Sequence, residues 1–179
     1  MDLARTSGDT GPLPDALPLR CDPHKGNQMA EDPIEIEVTV QGHFPPAKGQ
    51  RSIFNVLSNR HPRLIALLNE AHRVRSLKKF HGFGGVPLRM DVEVRVPSGL
   101  AHGDGTNYLG GIADALEDKT AWMLAAKNPL LTLGHLRYVG LYDNDRQLRH
   151  IVYQEVEGEL GYTIRLRALG PQSPVLPDP

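Results

Sequence analysis

Four stretches of the chain alternate apolar and polar residues, and each predicts a β-strand. Residues 34–40, IEIEVTV, show this pattern, as do residues 88–96, 148–156 and 161–169. Alternation turns one face of a strand toward a core and the other toward solvent. We expect the first two strands to be neighbours in one sheet. We expect the last two to form a hairpin over residues 157–160.

Apolar residues at helical spacing predict helices between these strands. Pro62 suits a helix start, and an apolar stripe follows it: Leu64, Ile65, Leu67, Leu68, Ala71 and Val74. Further helices are expected over residues 107–118 and 120–133, the last with Trp122 as its anchor and a break at Asn128-Pro129.

The helix predicted over residues 107–118 contains two adjacent glycines, Gly110 and Gly111. Each costs a helix roughly 1 kcal/mol relative to Ala. We therefore expect a partner helix or a ligand to approach the backbone closely at this point.

Together these elements predict an α+β domain over residues 34–169, with a small mixed β-sheet packed with two or three helices. Residues 1–33 are rich in Pro and Gly without an apolar period, so a disordered leader is expected, with a disordered tail at 170–179. A single cysteine, Cys21, excludes a disulfide framework and a thiolate metal site. No apolar run reaches membrane-spanning length and no signal peptide is visible, so we expect a cytoplasmic protein without a membrane partner.

The formal net charge of −1 averages regions of opposite sign. Over residues 48–79, cationic side chains face only Glu70, an excess of seven positive charges. They are Lys48, Arg51, Arg60, Arg63, Arg73, Arg75, Lys78 and Lys79. Such a cluster is typical of a phosphate-binding face. A solvated helix surface is the alternative.

Four aspartates are candidate metal ligands. Asp104, Asp143 and Asp145 stand close to predicted strand ends, and Asp114 lies on the helix predicted over residues 107–118. If the strands at 88–96 and 148–156 are neighbours, their acidic ends could meet and bind a hard divalent metal. The alternative is local, because Asp and Asn favour turns through hydrogen bonds to their own backbone. Asp114 could also be a solvent-facing helix residue.

The order of these parts resembles the RusA family of Holliday-junction resolvases. That family usually shows D-x-D-N-x-x-K-x-x-x-D-A-L and then D-D-x-Q-[VI]. Here Asp104 falls on the first Asp, Asn107 on the Asn, and Asp114 opens the D-A-L. Residues 144–148, NDRQL, fall on the final motif.

The resemblance implies a homodimeric endonuclease that binds Mg²⁺, or Mn²⁺ in its place, and cuts branched DNA. Asp104 and Asp145 would be catalytic, and the metal ligands would be Asp104, Asp114, Asp143 and Asp145. The DNA would lie on a basic surface of Lys48, Arg51, Arg63, Arg73, Arg75, Lys78 and Lys79.

Three positions depart from the family pattern: Thr106 replaces the second Asp, Gly110 the Lys and Asn144 the first Asp of the pair. A longer segment, residues 117–141, also separates the two motifs. These changes remove a carboxylate and a positive charge from the expected site. The alternative function is therefore a RusA-like DNA-binding protein without nuclease activity, and a third is a protein-interaction domain unrelated to DNA.

Overall fold

The computed structural model describes residues 34–49, 52–120 and 129–170, which form a four-stranded mixed sheet packed with helices. The strands are β1 (Glu35–Gln41), β2 (Leu88–Val96), β3 (Leu148–Glu157) and β4 (Gly161–Ala168). The α-helices are α1 (His61–Leu77) and α2 (Gly105–Leu116), and two 3₁₀ segments cover Pro129–Tyr138 and Asp145–Gln147. The predicted α+β fold class is confirmed.

The strand order is β1-β4-β2-β3. β4 is antiparallel to both β1 and β2, whereas β3 runs parallel to β2. The predicted contact between the first two strands is therefore wrong, because β4 lies between them. The predicted hairpin of the last two strands is also wrong. After β3 the chain passes the end of β2, where the amide of Gly158 donates to the carbonyl of Val96 at 3.1 Å.

Burial explains why β4 takes the central place and β3 the edge. Tyr162, Ile164 and Leu166 of β4 are fully buried, so this strand needs neighbours on both sides. In β3, by contrast, Ile151 is 44% exposed and Val156 is 38% exposed. A strand of this kind loses little by lying at the edge of the sheet.

The hydrophobic core lies between one face of the sheet and the helices. The strands contribute alternate residues to it, and α1 contributes the stripe predicted from the sequence: Leu64, Leu67, Leu68, Ala71 and Val74. The other face of the sheet is polar and carries ion pairs between neighbouring side chains. These are Arg167–Glu35, Arg165–Glu37, Arg89–Asp91 and Arg95–Glu93.

The segment between α2 and β3 is attached to the core by buried residues. Leu130, Leu133, Leu136, Val139 and Leu141 all pack into the core. In its described part, Thr120 and residues 129–133, the helix predicted over 120–133 is replaced by 3₁₀ conformation.

Several predictions lie outside the described residues. They are the leader at 1–33, most of the tail at 170–179, Arg51 and Trp122. Within the described ranges, none of the helices has the length and apolar character needed to cross a membrane.

Candidate functional site

Helix α2 begins at an acidic cap. Asp104 is its N-cap residue, and the carboxylate accepts hydrogen bonds from the amide of Thr106 at 2.8 Å and from its hydroxyl at 2.6 Å. These hydrogen bonds lower the pKa of the exposed Asp104 carboxyl, which is therefore ionised at neutral pH.

The loop before this cap is held by Tyr108, one turn into α2. The Tyr108 hydroxyl accepts the amide of Gly103 at 2.8 Å, and a Cβ at Gly103 would lie 2.9 Å from that hydroxyl. The Tyr108 ring stacks on Phe44, with ring centroids 6.1 Å apart and planes 7° apart. Phe44 belongs to the Pro-rich segment after β1, so these contacts join that segment to the start of α2.

Two arginines, Arg60 and Arg63, contact the segment that follows β1. The Arg63 guanidinium lies 5.4 Å from the centre of the Phe44 ring, in cation–π contact. Arg60 donates from Nη1 to the carbonyl of Ala47 at 3.1 Å, which leaves its other N–H groups for further partners.

These groups enclose a polar cleft of about 280 Å³ at the N-terminal end of α2. Its lining residues are Phe44, Ala47, Asn59, Arg60, Arg63, Ala101, His102, Gly103, Asp104, Asn107 and Tyr108. We call this the α2 cleft. Two guanidinium groups and an Asn amide suit a phosphate oxygen.

The two adjacent glycines of α2, Gly110 and Gly111, pack against the chain that follows β1. A Cβ at Gly111 would lie 2.1 Å from the carbonyl oxygen of Pro46, so only Gly fits there. The amide of Lys48 donates to the carbonyl of Asn107 at 2.8 Å. The close approach expected from the sequence is thus made by the protein's own backbone.

Lys48 covers the position at which the resemblance expects a lysine. Its Cδ would lie 3.1 Å from a Cβ at Gly110, and its ammonium pairs with Asp114 at 3.2 Å. A positive charge is therefore present beside α2 although residue 110 is Gly.

The four predicted metal-ligating aspartates do not converge. Asp104 and Asp114 lie at opposite ends of α2, about 15 Å apart at 1.5 Å per residue. Because β2 and β3 are parallel, the end of β2 that leads to Asp104 and the start of β3 that follows Asp145 lie at opposite ends of the strands. Among the described residues, no group of three or more His, Cys, Asp or Glu side chains is placed to hold a metal ion.

Asp114 and Asp145 do approach each other at the far end of α2, around Glu117. Burial of Glu117, with Asp145 and Asp114 nearby, raises the pKa of its carboxyl. Sequence reasoning did not select Glu117, because it lies beyond the D-A-L motif. These acids repel one another, and the ammonium groups of Lys119 and Lys48 partly balance their charge.

The turn around Asp143 is organised by hydrogen bonds of its amide side chains. Asn144 caps the 3₁₀ segment by accepting the amide of Arg146 at 3.1 Å. Gln147 is buried, and its amide oxygen accepts the amides of Asp143 at 2.7 Å and Asn144 at 3.1 Å. Its amide nitrogen donates to the carbonyls of Gly84 and Val86. Gln147 therefore links two loops by hydrogen bonds and has a structural role. Asp143 stays exposed.

Most of the predicted DNA-binding cations have partners within the chain. Arg75 donates to the carbonyls of Phe80, Tyr138 and Gly140, which gives it a structural role at the end of α1. Arg73 pairs with Glu70 at 2.7 Å, and Lys78 donates to the carbonyl of Glu35 at 3.0 Å. Lys79 is exposed, and Arg63 is the member that faces the α2 cleft.

A larger cavity, of about 580 Å³, lies at the end of α1. His72 and His135 meet there edge to face, with ring centroids 5.3 Å apart, and Arg75 and Lys79 also line it. Arg75 already donates to three carbonyls, and among the described residues no second arginine lines this cavity.

His102 was also missed from the sequence. Its Nε2 lies 2.6 Å from a carboxylate oxygen of Glu155 on β3, so the loop before α2 is tied to the edge of the sheet. No local sequence signal could have paired these residues, which are far apart in the chain.

Comparison of the chain with models of known protein families gave no match, and comparison with curated proteins gave none either.

Proposed function

We propose that this chain is a DNA-binding protein related to the RusA-like resolvases, and that it holds DNA phosphates in the α2 cleft. The observation that carries the proposal is the pairing of Arg60 and Arg63 beside Asn107 at the start of α2. Paired guanidinium groups bind a phosphodiester by charge-assisted hydrogen bonds.

The resemblance to the RusA family and the geometry of the α2 cleft both indicate the start of α2 as the binding site. Asp104 and Asn107 belong to the motif shared with that family, and both line the α2 cleft. The half-buried Phe44 ring lies against the Arg63 guanidinium and helps to hold it at the cleft.

The first test is binding of a labelled four-way junction by the Arg63→Gln variant. Loss of one phosphate contact should weaken binding about tenfold and lower the salt dependence of the affinity by about one counterion. Fluorescence anisotropy at several salt concentrations measures both quantities, with linear duplex of the same sequence alongside.

Arg165→Gln is the matched control, because Arg165 lies on the polar face of the sheet and pairs with Glu37. Its affinity should stay that of the unchanged protein. If the unchanged protein, Arg63→Gln and Arg165→Gln all bind the junction with the same affinity, the α2 cleft is not the DNA-binding site. If the unchanged protein does not bind the junction even at low salt, the result favours the third alternative, a protein-interaction domain unrelated to DNA.

Metal-dependent cutting of branched DNA is the second candidate, because Asp104 lies in the same cleft as the two arginines. The described carboxylates do not fit a site of several metal ligands, since Asp114 and Asp145 lie at the other end of α2. We therefore expect binding without cleavage.

Incubation of the labelled junction with the protein and Mg²⁺ or Mn²⁺ tests this expectation. An uncut junction in both metals supports a binding protein. Cleavage that disappears in the Asp104→Asn variant would establish the nuclease instead.

A further inference from the structure

The cavity of about 580 Å³ at the end of α1 is separate from the α2 cleft, and the described residues that line the two sites are all different. One wall is formed by the C-terminal part of α1 and the loop after it, with His72, Lys79 and Phe80. The other wall contains His135 and Tyr138, in the segment between α2 and β3. We call this cavity the α1 pocket. Pockets of roughly 300–1,000 Å³ are of the size that binds small molecules.

The described side chains that line the α1 pocket include cations but no carboxylate. The exposed Lys79 ammonium forms neither a hydrogen bond nor an ion pair within the described part of the chain. Arg75 donates to its three carbonyls from Nε and Nη1, so the two N–H groups of Nη2 remain for a ligand. The rings of His72 and His135 add further donors. An unbalanced set of cationic donors attracts an anion.

The backbone at Lys79 provides a second, independent observation. Helix α1 ends in a Schellman motif, in which the amide of Phe80 donates to the carbonyl of Arg75 at 2.9 Å. The amide of Lys79 donates to the carbonyl of Ser76 at 3.2 Å in the same motif. Lys79 has a φ of 50°, and no other non-glycine residue in the described ranges has a positive φ.

Glycine is the usual residue at this position of the motif, because a Cβ is strained in the left-handed region. A lysine here therefore costs stability. Among the described residues, no hydrogen bond or ion pair of the Lys79 side chain offsets that cost. Strain at a residue that lines a pocket indicates a role for its side chain in binding.

The α1 pocket also has an apolar part, to which Phe80, Tyr138 and Val139 contribute. The Arg137 guanidinium lies over one face of the Tyr138 ring, 4.6 Å from its centre, and Tyr138 remains 55% exposed. An inorganic anion would leave this apolar surface in contact with water, whereas a ligand with an apolar body covers it.

We propose that the α1 pocket binds a small phosphate monoester with an aromatic or apolar body. The phosphate lies among the donors of Lys79, Arg75 and the histidine pair. The body lies against the apolar part of the pocket. A phosphate monoester presents three terminal oxygens to these donors and a carboxylate presents two, which favours the phosphate. The site is additional to the DNA-binding site proposed in the α2 cleft.

Titration of the full isotope-labelled chain with phenyl phosphate, followed by amide NMR, tests the proposal. Saturable shifts are expected for the amides of residues 76–81 and 135–140. Inorganic phosphate lacks the apolar body and phenol lacks the anion, so each should bind about tenfold more weakly or worse. Benzoate should also bind more weakly than phenyl phosphate, and equal affinity for benzoate would overturn the choice of phosphate.

Lys79→Gly is the most informative variant. Gly removes the strained Cβ together with the ammonium, so the affinity for phenyl phosphate should fall about tenfold while the urea midpoint stays the same or rises. A lysine with only a structural role would not produce these opposite effects. Lys79→Arg keeps the charge and should keep most of the affinity.

Lys78→Gln is the matched control. It removes one positive charge from the neighbouring position, but the Lys78 ammonium donates to the carbonyl of Glu35 and does not line the α1 pocket. Its affinity for phenyl phosphate should equal that of the unchanged protein.

Three results would overturn the proposal: no saturable shifts with phenyl phosphate, shifts confined to the residues of the α2 cleft, or an unchanged affinity in Lys79→Gly. These titrations contain no DNA, so their failure leaves the proposed DNA binding untouched. Failure of junction binding by a protein that binds phenyl phosphate in the α1 pocket would overturn the proposed function alone.

Discussion

At the scale of single residues, the two neighbouring glycines of α2 should respond very differently to the same substitution. A Cβ at Gly111 would meet backbone atoms of Pro46, the oxygen at 2.1 Å and the carbon at 2.6 Å. Backbone cannot yield without moving the segment that carries Phe44. We expect Gly111→Ala to lower the free energy of unfolding by about 2 kcal/mol and to weaken DNA binding.

Gly110→Ala is the control for that prediction. Its Cβ would meet only the flexible side chain of Lys48, at 3.1 Å or more, and Ala favours a helix by about 1 kcal/mol over Gly. This variant should be as stable as the unchanged protein or slightly more so in urea unfolding. Equal destabilisation by both substitutions would contradict the close packing at Gly111.

Sequence reasoning at this scale identified residues better than it identified their roles. It placed Asp104 in a turn before a helix, and the structure makes it the helix cap. It left open whether Asp143 and Asp145 bind metal or form a turn, and Asn144 and Gln147 hold a turn there. The buried Gln147 shows why, since two of its four hydrogen bonds reach a loop some sixty residues earlier.

At the scale of elements, local patterns predicted the strands and α1 but not how the strands are ordered. Alternation is a property of one strand, so it cannot say which strand lies beside it. Five of the eight residues of β4 are buried, and neighbours on both sides contribute to that burial. Neighbours of this kind depend on the tertiary structure, and the two predicted pairings, β1 with β2 and β3 with β4, were wrong, whereas β2 does pair with β3.

The α2 cleft could not be predicted from local sequence patterns for the same reason. Its walls come from three separate segments, which carry Phe44, the Arg60–Arg63 pair and Asp104. The charge count found the arginines and the motif found Asp104. Only packing of the Pro-rich segment on Gly111 brings them together.

At the scale of the whole molecule, one buried lysine should make stability depend on pH. Lys119 is 1% exposed, and its ammonium donates to the carbonyls of Ala115, Glu117 and Val139. Burial lowers the pKa of Lys119 to about 8, from 10.5. The cost of burying the charge is therefore fully present below pH 8.

Between about pH 8 and 10.5 the folded protein has released this proton while the unfolded chain still binds it. The unfolded state then binds more protons, so the free energy of unfolding rises with pH, by about 2 kcal/mol between pH 7 and 9.5. Above about pH 10 the trend reverses, because burial raises the pKa of Tyr142 and Tyr162, and the unfolded tyrosines ionise first. Urea unfolding at intervals across this range measures the curve.

Lys119→Met separates this effect from every other titration. Met keeps most of the side-chain length without an ionisable group, so the rise between pH 8 and 10 should vanish while the fall above pH 10 persists. In the Met variant a methyl group takes the place of the ammonium, which lies 5.9 Å from the centre of the Phe54 ring, so the ring keeps an apolar neighbour. A rise of the same size in the Met variant would assign the pH dependence to other groups and show that Lys119 keeps its ordinary pKa in the fold.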